Sequence, residues 1–516
     1  MQATSLGHAG ILIDSGDTTI VCDPWFVPAF LASWFVFPRN DQLAPELMYK
    51  VCNPDFLYIS HLHGDHCDLE FLSEQMNKDT TVLLPGFPTR EMERELSRLG
   101  FKNFIRTTDG TATQIAPDIH ATIFVETSIT DGPSGDSALL LDDGSARLLN
   151  QNDCRLNDLS SWRDNERVDL HWLQYSGAIW YPMVYDMDTT EKKQLAVDKV
   201  ESQFSRAVKY VEAVGASMVV PSAGPPCFLD PELFDQNMIT GDEISIFPDQ
   251  TEFIARLKDV GRSNAQLNVP GTTFTVSNNA VAVAHPMPIA DIERIFTDKN
   301  EYLKTYQSDW APWLASRQAT WMQPRTDLLK SLQTWWHPLL AMATTVRASI
   351  GANCLLHLGD EGILINFVEG RVEQYIDQAF GFRFDISRDL VELVVANKAI
   401  DWSNSLFLSC RFTAWRDGSY NEYLYNFFKS LSVERMTRTE AEASRNINGA
   451  DAPEADITLG EYIVQRRCPH RSADLSVFGQ IDGNQLVCNL HGWRFNLDTG
   501  QCTTSPDKRI SVRKRS

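Results

Sequence analysis

The stretch Tyr58-Ile59-Ser60-His61-Leu62-His63-Gly64-Asp65-His66 constrains this chain more than any other. Just before it, Phe56-Leu57-Tyr58-Ile59 is a short apolar run after Pro54-Asp55, the pattern of a buried strand. The run then breaks into His61, His63, Asp65 and His66. The bland reading is a polar surface loop. Histidine is scarce, however: there are eleven in 516 residues, and three fall in this one turn. Imidazole and carboxylate together suit zinc or iron. His61 and His63 are placed for a mononuclear site. Asp65 and His66, pointing the other way round the loop, could hold a second metal.

Composition narrows the setting. The length predicts about three domains at ~150 residues each. A hydrophobic fraction of 43% with 22% charged residues is ordinary for a globular chain with sizeable cores. The net charge of −22 repels nucleic acid and anionic membrane surfaces, so neither is an expected partner. An anionic substrate would need a local positive pocket. Ten cysteines in this length are no disulfide scaffold. No signal peptide is visible, and no apolar run of ~18 residues would span a bilayer. The expectation is a soluble cytoplasmic protein with reduced thiols.

The His-x-His-x-Asp-His pattern resembles the metal motif of the metallo-β-lactamase superfamily. That resemblance implies an αββα sandwich with a two-metal site at the edge of its sheets. It also implies a bridging carboxylate, for which Asp153 is placed, and a third histidine ligand some twenty to thirty residues earlier. No histidine lies between His120 and His171, so Glu126, Asp131 and Asp136 are the substitutes on offer. A carboxylate-rich site shifts preference from zinc towards iron or manganese. The superfamily's last histidine is missing too: residues 219–226 read Val-Val-Pro-Ser-Ala-Gly-Pro-Pro. One metal is then expected to be under-coordinated, or a single metal to bind. Gly7-His8-Ala9 followed by Asp23-Pro24-Trp25 is similar to the superfamily's first hairpin. His8 is either near the metals or a satisfied histidine at a strand end. The aromatic loop 25–53 is either core or a cleft wall. His8, Trp25, Tyr175 and Trp180 are the candidate substrate-binding residues.

The C-terminal segment carries the second constellation. Cys468-Pro469-His470 is followed, after seventeen residues, by Cys488-Asn489-Leu490-His491. The pattern resembles the Rieske [2Fe-2S] module, in which two cysteines hold one iron and two histidines the other. The rival is a structural Cys₂His₂ zinc site, but zinc fingers usually begin with a closely spaced cysteine pair. Here each cysteine has its own histidine, and Gly492-Trp493-Arg494-Phe495 follows.

The expected layout is α+β. A metallo-β-lactamase-fold domain spans 1–290 and a small α+β middle module 291–435. A linker spans 436–457 and an all-β Rieske domain 458–516. His337 and His357, in the middle module, are expected to be packed. The basic end, Lys508 to Arg515, either docks an acidic electron donor or is a frayed tail.

A one-electron cluster has no role in hydrolysis. One family joins both parts, and the chain resembles it: the CMP-N-acetylneuraminate hydroxylases. Asp23-Pro24-Trp25, Pro28-Ala29-Phe30, the 58–66 motif, Asp136, Asn150 with Asp153-Cys154, Ser176-Gly177 and Tyr423 to Phe427 carry the likeness. That family places its Rieske module first, whereas here it is last, and residues 175–190 differ in detail. The resemblance implies a Rieske-dependent, O₂-activating iron hydroxylase acting on a C–H or N–H bond of a small polar metabolite, such as a nucleotide-sugar or an amino compound. Its cofactors would be the [2Fe-2S] cluster and mono- or dinuclear non-haem iron. Its partners would be substrate, O₂ and a ferredoxin, reductase or small cytochrome as donor, with homo-oligomerisation open. The competing readings are a metallo-hydrolase with a redox-sensing Rieske domain and a non-catalytic electron carrier.

Overall fold

The computed structural model describes residues 1–130, 132, 134–157, 159, 167–277, 280–448, 455–505 and 508–515. The chain divides into two compact units. The first comprises Met1–Thr127, Ser134–Ala178 and Ala196–Ala311; the second comprises Ser128–Pro133, Ile179–Leu195 and Pro312–Ser516.

In the first unit, Gln2–Gly7, Gly10–Ser15 and Thr18–Cys22 form an antiparallel meander. Phe56–Tyr58 and Thr81–Leu84 extend it in parallel. Apolar runs such as Val82-Leu83-Leu84 suit strands covered on both faces. This sheet has eight strands and a second has six. They share one core: Ile11, Ile13, Ile20 and Phe274 meet Ile123, Leu139, Leu148 and Trp172. On the outer face of the first sheet, Leu12, Leu57 and Val82 pack with Phe71, Leu72, Met92 and Leu96. The helices Leu69–Glu74 and Glu91–Arg98 supply those four residues. Helix Gln250–Asp259 packs beside the second sheet, where Phe253 stacks on Tyr175 at 5.4 Å. The layers are helix, sheet, sheet, helix.

Strand direction assembles one edge of this sandwich. Cys22 is in parallel register with Tyr58, so Asp23 and the 60–66 turn leave their strands side by side. Asp136 opens one strand and Asn152 closes its antiparallel neighbour, which delivers Asp136 and Asp153 to a common end. Ligand sites gather at such strand ends in α/β sheets.

The second unit holds a five-stranded sheet flanked by helices. Its core is aromatic: Trp336 meets Trp402 edge-on at 4.9 Å, and Trp402 stacks on Phe428 at 5.9 Å. His337 Nε2 meets the Val372 backbone, and the partly exposed His357 pairs through Nδ1 with Asp385 at 2.7 Å. The C-terminal segment adds two three-stranded sheets.

Three features differ from the sequence reading. The first compact unit runs to Ala311 rather than 290, because Tyr306 and Trp310 of helix Lys299–Ala319 pack edge-on against Phe35. The proposed linker opens as a helix, Val433–Asn448, with Met436, Thr439 and Ala443 buried at helical spacing. The basic end is no frayed tail: Val512–Lys514 pairs with Tyr462–Val464. In the aromatic loop 25–53, Trp34, Phe35 and Phe37 are buried, whereas residues 41–50 are exposed or half-buried.

Candidate metal centres

In the first unit the turn after Phe56–Tyr58 meets three other strand ends. His61 Nε2 lies 2.8 Å from His63 Nδ1, and His61 Nδ1 lies 3.4 Å from Asp136 Oδ1. His66 Nε2 lies 3.4 Å from Asp153 Oδ1 and 3.8 Å from Asp65 Oδ2. Asp65 Oδ2 is also 3.1 Å from His8 Nε2. Two ligand groups result, His8–Asp65–His66 and His61–His66–Asp153, each with its donor atoms within 4.8 Å of one another. His63 and Asp136 flank the second.

His8 is the ligand candidate that its sequence context under-reported. It sits in the turn between Gln2–Gly7 and Gly10–Ser15, where a Cβ on Gly7 would stand 2.7 Å from Val36 Cγ1. His8 itself is left-handed, at φ 49°. The backbone N–H of Ala223 donates to the His8 carbonyl at 3.0 Å. An imidazole from the N-terminal hairpin therefore stands beside the 219–226 segment that lacks a histidine. His8 is thereby a further ligand candidate on that side of the site.

Asp23 is the residue that sequence reasoning missed. Its carboxylate is fully buried and accepts from Ser60 N and Ser60 Oγ, both at 2.7 Å, and from Asn152 Nδ2 at 2.6 Å. His66 Nδ1 is 3.0 Å away. A carboxylate accepts only, so His66 Nδ1 carries the proton and Nε2 is turned to the centre. Asp23 and Asn152 are left-handed, at φ 42° and 49°. With His8 and Ala223 they concentrate non-glycine backbone strain around this one site. The available signal was an aspartate directly after a buried strand.

The electrostatics are those of a cation site. Burial lowers the His61 pKa, and the neighbouring His66 and His63 lower it further. Burial and then Asp153 raise that of Asp136. Burial disfavours a charged His66, but the Asp153 and Asp65 carboxylates outweigh it and raise the pKa. For Asp65, burial pushes upward, yet His66 and His8 bring the pKa down to about 2. His66 Nε2, His8 Nδ1 and Asp153 Oδ1 are buried without a hydrogen bond among the described residues. Packed carboxylates and imidazoles with such atoms left over fit a bound metal, since buried charge is costly unless paired or coordinated.

The remaining predicted residues fall elsewhere. The Glu126 carboxylate accepts from Thr127 N and belongs to neither ligand group. Asp131 lies outside the described residues. Trp25 is buried edge-on against the His8 ring at 4.8 Å, so it backs a ligand candidate rather than lining an open pocket. Tyr175 is buried in the core, its hydroxyl donating to the Gly224 carbonyl at 2.9 Å. Trp180 belongs to the second unit, packed on Phe407 and Tyr425. All three are buried among other side chains. Replacing His8 by alanine is expected to weaken ferrous iron binding at its group by roughly 10–100-fold. Chelator competition measures this, and unchanged affinity would return His8 to a packing role.

In the second unit, two matching turns carry the cysteines. Ser472 N donates to the Cys468 carbonyl at 2.9 Å, and Gly492 N donates to the Cys488 carbonyl at 2.8 Å. Both closing residues are left-handed, at φ 53° and 75°. The backbone N–H groups of His470 and Arg471 point at the Cys468 sulfur, and those of Leu490 and His491 at the Cys488 sulfur. The two thiols are hydrogen-bonded to each other. The His470 and His491 rings stand 4.7 Å apart at 83°. Their Nδ1 atoms are buried, and His470 Nε2 meets Glu422 at 3.1 Å. Two amide-lined thiols and two neighbouring imidazoles are the donor types of a mixed cysteine–histidine iron–sulfur cluster.

Known domain families match three parts of the chain. Residues 459–512 match the Rieske [2Fe-2S] domain, 2–116 the beta-lactamase superfamily domain, and 328–445 the Rv3818-like, SCP2-like domain. A Rieske 2Fe-2S iron–sulfur protein of Mycolicibacterium smegmatis, named as such provisionally, is 42% identical over 526 residues, covering 100% of both chains. The chain belongs to this Rieske 2Fe-2S protein family. It carries a C-terminal Rieske [2Fe-2S] domain and an N-terminal metallo-β-lactamase-fold domain. The mouse cytidine monophosphate-N-acetylneuraminic acid hydroxylase is 28% identical over 195 residues, 36% of this chain and 32% of that protein. The diiron beta-hydroxylase CmlA of Streptomyces venezuelae aligns with a TM-score of 0.34 and 15% identity, covering 54% of each chain. Among the described residues, no helix is long and apolar enough to cross a membrane.

Proposed function

We propose that this chain is a Rieske-dependent non-haem iron oxygenase that hydroxylates a small polar metabolite. The observation that carries the reading is the pairing, in one polypeptide, of a Rieske ligand set with a buried donor set rich in carboxylate. His8, His61, His63, His66, Asp65 and Asp153 would hold iron, with Asp136 beside them. When bound, the cluster supplies single electrons and the iron supplies O₂ chemistry. Asp23 orients His66 by accepting a hydrogen bond from its Nδ1–H. Trp25 backs His8 and keeps water from that side of the ring. The partial likeness to the sialic acid hydroxylase supports hydroxylation as the reaction class. The electron donor would be a ferredoxin, reductase or small cytochrome, in the cytoplasm.

The test needs no substrate. Dithionite-reduced protein is mixed with air-saturated buffer, and cluster reoxidation is followed by visible absorbance. In His66→Ala, with the cluster intact, reoxidation should slow at least about tenfold. Iron beyond the cluster's own should fall in the same sample. Equal rates, or native protein with zinc at both centres, would overturn the proposal.

A further inference from the structure

The middle module matches an SCP2-like domain, which assigns it no part in redox chemistry. Yet its helix Glu422–Phe428 begins with a buried carboxylate aimed at a cluster ligand. Glu422 Oε2 lies 3.1 Å from His470 Nε2. The same oxygen receives the Thr130 hydroxyl at 3.4 Å and lies 3.6 Å from Arg471 Nη2. Arg471 is bound in turn to Glu442 of helix Val433–Asn448 and to Thr130. A carboxylate accepts only, so His470 Nε2–H is the donor. That leaves Nδ1 of the same ring for iron.

We infer that Glu422 is a positioning residue for the Rieske cluster: it fixes the His470 ring and, as a buried anion bonded to a ligand of the cluster, holds the reduction potential down. The physics is simple. Reduction by dithionite adds one electron to the cluster and so one unit of negative charge. An anion one imidazole away opposes that charge, and the opposition is strong because the site is dry. Hydrogen bonding and charge around such clusters are established levers on potential. The middle module would thus be part of the electron-transfer machinery. This inference rests on the Rieske cluster alone and stands whether or not the iron centre activates O₂.

The test is a redox titration of the full-length, cluster-loaded protein, read by visible circular dichroism and electron paramagnetic resonance. Glu422→Gln keeps the shape and removes the charge. It should favour the reduced form about tenfold at fixed potential, an upward shift of about 59 mV for one electron. Glu422→Asp keeps the charge and should return towards the native potential. A fully loaded Glu422→Gln protein with an unmoved potential overturns the inference. If that variant does not take up the cluster, the native holoprotein is treated with diethyl pyrocarbonate and mapped by mass spectrometry. His470 should stay unmodified while His357, whose side chain is 45% exposed, reacts. Carbethoxylation of His470 at the same rate as His357 overturns it equally.

Discussion

Cys468→Ser is expected to strip the protein of its cluster and, on the proposed oxygenase reading, to reduce oxygen-dependent turnover to background. The hydrogen bond with Cys488 and burial raise the Cys468 pKa, while the backbone N–H groups of His470 and Arg471 pull it the other way. Serine offers a hard, protonated hydroxyl in a pocket shaped for a soft anion. The second turn, around Cys488, cannot compensate, because each iron of such a cluster needs two protein ligands. The visible absorbance of the cluster and the paramagnetic signal of the dithionite-reduced protein should vanish. The donors of the other centre all belong to the first unit, so its metal content should survive. That contrast separates loss of electron supply from loss of fold. Full turnover in a cluster-free Cys468→Ser protein would end the oxygenase reading.

Much of both centres was legible because ligand chemistry tolerates few residue types at few spacings. The 61–66 turn and the 468–491 pattern carry their meaning locally. What stayed hidden depends on long-range pairing. His8 is one imidazole in a hairpin turn; only the sheet order and the bond from Ala223 N bring it to the centre. Glu422 heads an apolar helical run, and nothing in that run announces His470. The burial of Tyr175 and Trp180 was not legible either, because an aromatic side chain in a core looks, in sequence, like one lining a pocket. The helix Val433–Asn448 was masked by composition, since its buried positions include threonine and alanine and it is held by tertiary contacts. One is the pair between Arg435 Nη1 and Asp401 Oδ2 at 3.1 Å. Helical stability of that kind comes from packing, which propensity does not report.

Asp23 is where the largest structural penalty should fall. Its carboxylate gathers Ser60 N, Ser60 Oγ, Asn152 Nδ2 and His66 Nδ1 in a site closed to solvent. Asp23→Ala leaves these donors buried without their acceptor. Breaking such a charged network is expected to cost about 3–5 kcal/mol, read as a lower urea midpoint of the metal-free protein. Asp23→Asn is the sharper probe. The amide fills the same volume but turns an NH₂ towards donors, so about 1–3 kcal/mol should be lost. The metal effect should exceed what stability explains. Without a carboxylate at Nδ1, the His66 proton can move to Nε2, the atom 3.4 Å from Asp153 that would hold the proposed metal. Ferrous iron affinity should then fall by roughly 10–100-fold, while the Rieske signal persists. A folded Asp23→Asn protein that binds iron as tightly as the native chain would show that His66 is oriented by the turn alone. The left-handed residues on either side, Asp23 and Asn152, would then be strained for some purpose other than aiming that ring.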